Sequence, residues 1–364
     1  MEKGFDEANL NASYAMRHNA SDDNSTSFTF DQQWRFTFGT IISWLIGFIC
    51  IFGIIGNILS VKVLGRHKQI SPMFVLLKML AISDMLFLMF MFLLHIFPII
   101  LHKIDPFSAY FFEVFLISKF VWPMSLVTQM STVWITVAIS IERYITVNHP
   151  LRRSVKMVTS TASILPTTIR IKRASFAIFF LSAVYNIPRF FEYKADLKDL
   201  RKSDFGDNEI YRYLYCAASY FLVLFFIPLI LIISLNIRVV LALNDGQKRW
   251  ERMNLRQKAD HKLTRIALAI VVVFFVCGMP ALAVNILEVL IGHYEYHAIL
   301  TRVANTLVVF NSAVNFMIYC LLGKKFRRLL KDMLLQYKNC HRKSRIISRV
   351  NSYNVTSIIH SSYV

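Results

Sequence analysis

Long apolar runs separated by short polar stretches dominate this chain of 364 residues. Ile41–Val61, Phe120–Ile141, Tyr213–Ile237, Ile266–Leu287 and Val303–Gly323 each run without an Asp, Glu, Lys or Arg. Met79–Ile100 is broken only by Asp84, and Ala174–Pro188 is so short that Lys172 and Arg189 are expected to snorkel at its ends. A bilayer core about 30 Å thick takes roughly 20 apolar residues of helix. Continuous runs, in place of an alternating pattern, exclude a membrane barrel. The pattern predicts an all-α membrane protein, a bundle of seven transmembrane helices over residues 39–322. Phe326, Leu329, Leu330, Met333 and Leu334 then recur at helical spacing among Lys and Arg, which predicts a short cytoplasmic amphipathic helix over 323–338 resting on membrane lipid. Residues 1–38 and 339–364 flank this body as an extracellular segment and a cytoplasmic tail.

Composition agrees with the pattern. The chain is 55% hydrophobic and 17% charged, where a soluble domain carries about 25% charge. Its net charge of +19 would suggest nucleic acid only if the basic residues shared one surface, and the apolar runs divide them. With the N-terminus outside, the cytoplasmic segments hold 28 Lys and Arg against 5 acids, and the opposite segments hold 11 against 16. That asymmetry is a topology signal and leaves no nucleic-acid partner. The first forty residues have no apolar signal-peptide core, but they carry three glycosylation sequons, at Asn11, Asn19 and Asn24.

A few polar residues break the runs. Asp84 lies within the second, where a carboxylate is costly. Asn57, Thr132, Asn311 and Asn315 fall at similar depth in the first, third and seventh. These groups form either a buried polar network or a site for a hard monovalent cation such as Na+, and no other cofactor is expected. Glu142-Arg143-Tyr144 closes the third run. It is either an interfacial charge cluster or a latch in which Arg143 pairs with Glu142 or with Asp260 at the end of the sixth. His293 and His297 are read as a surface coincidence, so no metal site is expected.

These residues fall in an order that carries a resemblance. Gly56-Asn57, Leu80-Ala-Ile-Ser-Asp84, Glu142-Arg143-Tyr144, Pro228, Phe274, Cys277-Gly-Met-Pro280 and Asn315-Phe-Met-Ile-Tyr319 resemble the rhodopsin-like (class A) G protein-coupled receptors, from about Phe38 to Tyr337. Trp122-Pro123, Thr132-Val-Trp-Ile-Thr-Val-Ala138, Tyr185-Asn-Ile-Pro-Arg-Phe-Phe-Glu192 and Leu235-Asn236 are similar to the invertebrate FMRFamide-type neuropeptide receptors. The resemblance implies a plasma-membrane receptor and not an enzyme. Its ligand would be a neuropeptide, first of all an amidated FMRFamide-like one, and its cytoplasmic partners a heterotrimeric G protein and arrestin. Switching falls by resemblance to Glu142, Arg143, Tyr144, Asp260, Pro280, Asn315 and Tyr319. A class A receptor for another ligand class stands as the alternative. A transporter built on Asp84 is a second, without the paired helix breaks it would favour.

The chain also departs from that family. Ser118 stands where the family has the cysteine of an outer disulfide, and Phe190–Tyr215 has no cysteine, so this loop is expected to be mobile. Gly278 and Phe316 replace an aromatic and a proline at the usual hinges, and Thr159–Thr168 reads as an insertion. Ser125 and Val309 stand where amine receptors and opsins carry their aspartate and lysine, which argues against those ligands. For a peptide, Glu113, Glu192 and Glu288 are the candidate acids for a ligand Arg, and Trp122 and Tyr220 are candidate aromatic walls. In the tail, Cys340 is a candidate for palmitoylation, and Ser362 and Val364 fit the end of a PDZ ligand.

Overall fold

A computed structural model describes residues 30–66, 72–107, 112–148, 164–195, 200–247, 255–291 and 297–336. Seven helices among them are long and apolar enough to cross a membrane. In chain order these spans one to seven are Thr37–Gly65, Pro72–Ile104, Lys119–Asn148, Thr168–Phe191, Tyr211–Ala242, Leu263–Leu287 and His297–Leu322. Every apolar run is recovered, and most spans are longer than their runs because polar flanks continue the helix. Span one belongs to a helix that starts at Phe30, and span six to one that covers Leu255–Ile291. Pro72 opens span two, a position where its missing N–H would have had no partner anyway.

Span three is the hub. Its inner turns are mostly buried, and it packs against spans two, four, five and six, while span one lies against spans two and seven. Lipid is as apolar as Leu, so helices here are held by close packing and by polar contacts between them. A Cβ added at Gly53 would stand 2.8 Å from the Cα of Ala313 and 2.6 Å from a methyl of Leu88, so glycine lets span one sit directly on spans two and seven. Hydrogen bonds reinforce the contacts. The Asn57 amide donates to the Ser312 carbonyl (3.0 Å), the Ser83 hydroxyl to the Thr128 carbonyl (3.1 Å), and the Asn236 amide to the Ser140 hydroxyl (3.0 Å).

One end of the bundle is closed by an apolar cluster that includes Leu77, Leu80, Ile139, Ile270 and Tyr319. After a break at Gly323, a further helix covers 324–336. It gives Phe326 and Met333 to the same cluster, with Leu329 and Leu330 packed against it, whereas Leu334, read from the sequence as part of the same apolar stripe, is exposed. At the other end, strands β1 (Tyr193–Ala195) and β2 (Leu200–Lys202) pair antiparallel, with Tyr193 opposite Lys202. Large apolar side chains such as Phe48, Phe176 and Val276 face outward, as a lipid-facing surface requires.

Glycine packing can be tested by contrast. A Cβ at Gly278 meets nothing within 4 Å, so Gly278→Ala is expected to be neutral or to stabilise by up to about 1 kcal/mol. Gly53→Ala is expected to cost about 1–3 kcal/mol by overpacking. Thermal unfolding of the two purified variants in detergent checks the ordering.

Candidate functional site

The centre of the bundle is a carboxylate. Asp84 is fully buried and accepts hydrogen bonds from Thr132 Oγ1 (3.1 Å) and Asn315 Nδ2 (2.7 Å), so one side chain joins spans two, three and seven. Thr132 Oγ1 also lies 3.1 Å from Ser83 Oγ, and Ser312 faces the same carboxylate. Two of the residues read as partners stand apart from it. Asn57 directs its amide to the Gly53 and Ser312 carbonyls, and Asn311 is not among the hydrogen-bond partners of Asp84. The reason is register: on a helix, similar depth does not ensure the same face. The oxygens of Asp84, Ser83, Thr132 and Ser312 form a hard donor set, which fits Na+ by its chemistry. Among the described residues, no group of three or more His, Cys, Asp or Glu could hold a metal ion.

Beneath this network, at the closed end, Arg143 is completely buried and pairs with the adjacent Glu142. Glu142 also accepts from Thr146 Oγ1 at 3.2 Å. Arg143 Nε and Nη1 have no partner among the described residues, nor has the buried hydroxyl of Tyr319. A buried guanidinium with only part of its donors satisfied is costly, and an arrangement that offered it further acceptors would relieve that cost. Tyr144 takes part through Arg238, whose guanidinium lies over its ring at 5.9 Å and donates to its hydroxyl at 3.4 Å. Pro280 sits inside span six, while Asp260 lies on the same helix with its side chain outside the described residues.

The hairpin end departs from expectation. Arg189 and Glu192, 4% and 0% exposed, form an ion pair at 3.2 Å, so Arg189 does not snorkel and Glu192 does not present its carboxylate to a ligand. The Arg189 guanidinium also lies 5.4 Å from the ring centres of both Tyr215 and Tyr220, a cation–π arrangement. Tyr215 donates to the Tyr185 carbonyl at 2.5 Å, and the Tyr185 hydroxyl lies 2.9 Å from Ser219 Oγ, which ties span four to span five. Above the pair, the Ser203 N–H donates to the Glu192 carbonyl (2.8 Å) and its hydroxyl to the Phe191 carbonyl (2.6 Å). A Cβ at Gly206 would stand 2.3 Å from the Glu192 carbonyl oxygen, so the close turn needs glycine. No disulfide joins the described cysteines. The described part of the loop that was expected to be mobile is held by this buried polar cluster, and β1 packs on the end of span three. The exposed Lys194–Asp204 pair (2.8 Å) holds the Asp204 carboxyl below its ordinary range by a charged hydrogen bond, and adds little to the anchor because water screens it.

Beside this cluster, a narrow cleft opens between spans two, three and seven. Trp122, Ser125, Gln129, Thr301, Arg302 and Asn305 are among its walls, with Phe87 and Met91. Trp122 is one of its walls, whereas Tyr220 is not, and its hydroxyl donates to Gln129 at 3.4 Å. Val309 is buried in a neighbouring apolar cluster. The side chains of Glu113 and Glu288 lie outside the described residues, as do Asn11, Asn19, Asn24, Cys340, Ser362 and Val364. Arg302, Gln129 and Asn305 were not singled out from sequence. Arg302 stands at the edge of an apolar run and reads as a membrane boundary. The signal for it was periodicity, because 302, 305, 309, 312 and 315 fall along one helical stripe that ends at the Asp84 partner Asn315.

Seven helices able to cross a membrane around a buried Asp, Thr and Asn centre, with a buried Arg paired to a Glu at one end, define a class. The profile of the seven-transmembrane receptors of the rhodopsin family matches residues 56–319, and the chain belongs to that family. It is therefore a multi-pass membrane receptor of the G protein-coupled class and not an enzyme. It is 30% identical over 300 residues to the FMRFamide receptor of Drosophila melanogaster, over 78% of this chain and 52% of that one. It is 28% identical to the probable G-protein coupled receptor frpr-1 of Caenorhabditis elegans, over 80% and 78% of the two chains. With the FMRFamide peptide receptor frpr-18 of the same worm it shares 26% identity, over 79% and 67%. The matched region spans about half the length of the Drosophila receptor.

The anchor at the hairpin end makes a direct prediction. Glu192→Ala leaves Arg189 buried without its ion-pair partner and is expected to cost about 3–5 kcal/mol. A reducing agent is expected to leave the melting temperature of the wild type unchanged, because no disulfide holds this loop. Both are read from thermal unfolding of the purified receptor.

Proposed function

We propose that the chain is a plasma-membrane receptor for an amidated, FMRFamide-like neuropeptide, with its N-terminus outside, that promotes nucleotide exchange on a heterotrimeric G protein. The observation that carries the coupling step is Arg143. It is wholly buried, only partly satisfied by the described residues, and shut in beneath an apolar cluster at the end of the bundle flanked by the basic segments. Agonist binding at the hairpin end favours a form in which spans three and six separate at the closed end, and Pro280 gives span six a weak point. Arg143 then turns from Glu142, and from Asp260 where that latch forms, toward the G protein. Nothing in this sequence of events makes or breaks a covalent bond in the receptor.

Similarity to FMRFamide receptors supports the ligand class, and the aromatic surroundings of Trp122 and Tyr220 suit peptide Phe side chains. Glu113 and Glu288 remain the candidate acids for a ligand Arg; Glu192 is withdrawn from that role. The sequons at Asn11, Asn19 and Asn24 and the tail sites Cys340, Ser362 and Val364 fit glycosylation, palmitoylation and a PDZ contact, and the basic cytoplasmic end fits arrestin after activation. In this reading Asp84, Thr132 and Ser312 hold Na+ in the resting form, and Asn315 orients the carboxylate.

Screening amidated peptides for G protein activation in transfected cells tests the central claim. Arg143→Ala is expected to abolish activation at unchanged peptide binding and surface expression; normal signalling by this variant would contradict the mechanism. For the ion, replacing Na+ with a bulky cation is expected to raise agonist affinity in the wild type and to do nothing in Asp84→Asn, because an ion shifts a population only through differential binding. Equal sodium dependence in both would remove the site.

A further inference from the structure

The charge of the cleft runs opposite to the expectation of an acidic pocket. Arg302 is the only charged side chain of span seven, and it lines the cleft between spans two, three and seven. Its guanidinium lies against the backbone of span one, where a Cβ at Gly39 would stand 3.3 Å from Arg302 Cζ, so glycine makes room for it. Among the described residues it has no ion-pair partner and no side-chain hydrogen bond. No Asp or Glu is among the described walls of the cleft. Beside it, Thr301 Oγ1 is buried without a hydrogen-bond partner among the described residues, and Asn305 and Gln129 add carboxamides. The rest of the lining is largely apolar, Phe87 and Trp122 foremost.

A guanidinium without a described partner, in a cleft with aromatic walls, has definite ligand chemistry. Five N–H donors and no acceptor cannot recognise a cation, and an incoming ligand Arg would meet like charge. A planar oxygen acceptor answers the guanidinium, and an apolar or aromatic group beside that oxygen answers the aromatic walls. We infer that this cleft binds a carboxamide or carboxylate oxygen carried next to an aromatic group, with Arg302 as the residue that reads it. Within the receptor proposed above, that group is the C-terminal end of the peptide, and the peptide's own Arg lies elsewhere. Only this last assignment rests on the proposed function; the cleft chemistry stands on Arg302 and its neighbours.

The test has two separate arms. In the first, the purified full-length receptor in nonionic detergent is melted with 3-phenylpropionate, 3-phenylpropionamide or 3-phenylpropylammonium. The acid and the amide are expected to raise the melting temperature and the cation is not. Arg302→Met is expected to abolish both shifts, and Arg302→Lys to restore part of the acid's. Without any fragment, Arg302→Met is expected to melt no lower than wild type, since no partner is lost. A shift from the cation, shifts that survive in Arg302→Met, no shift from either oxygen ligand, or a lower melting temperature for the fragment-free variant would each overturn the inference. In the second arm, Phe-Met-Arg-Phe-amide is assayed for G protein activation on cells expressing wild type or Arg302→Met. A roughly 10- to 100-fold loss of potency in the variant is expected, the size of a charge-assisted hydrogen bond; equal potency would overturn the role of Arg302 in reading the peptide. A wild type silent to the peptide, with fragment shifts as expected, would overturn the peptide reading and leave the cleft assignment standing.

Discussion

The structure depends on one constraint: a carboxylate placed at the middle of an apolar bundle has to find all its partners inside the protein. Asp84 does so by accepting from Thr132 on span three and Asn315 on span seven. Water cannot compensate for a lost partner at that depth. The register of three helices is therefore fixed together, because a turn in any of them would carry a donor away. Close packing follows from the same register, with Gly53 set against Ala313 and Leu88 on spans seven and two.

The two ends of the bundle treat charge in opposite ways. At the hairpin end, Arg189 is compensated by Glu192 and by two tyrosine rings, and the result is a fixed loop without a disulfide. At the closed end, Arg143 has, among the described residues, a single carboxylate and two nitrogens without a partner beneath an apolar cluster. A guanidinium held by a carboxylate and two aromatic rings is compensated from several sides, whereas one held by a single carboxylate favours any alternative that offers more acceptors. The first suits a scaffold for a binding surface and the second a switch. Asp84 lies between them, on helices that run to both ends.

Arg302 adds a third environment, a cation with no partner among the described residues in a cleft that lacks a described acid. The sequence had pointed to acids at this end, since most of its loop charges are negative. Net charge on loops governs approach and topology. The charge of a cleft is governed by the few side chains that turn into it.

The sequence by itself determined the number of spans, their order, the amphipathic helix and the polar positions at their centre. Those properties depend on the length and periodicity of apolar runs, and a bilayer imposes them whatever the neighbours are. It could not tell whether a charge at the end of a run meets lipid headgroups or a partner. Arg189 and Lys172 look alike as flanks of the fourth run, yet Arg189 is buried against Glu192 and two tyrosines. Nor could it separate Asn315, which binds Asp84, from Asn57, which spends its amide on backbone carbonyls. Both distinctions rest on helix rotation and on contacts between residues far apart in the chain. Only tertiary packing decides them, because a buried polar group takes whichever partner the neighbouring helices bring within hydrogen-bond reach.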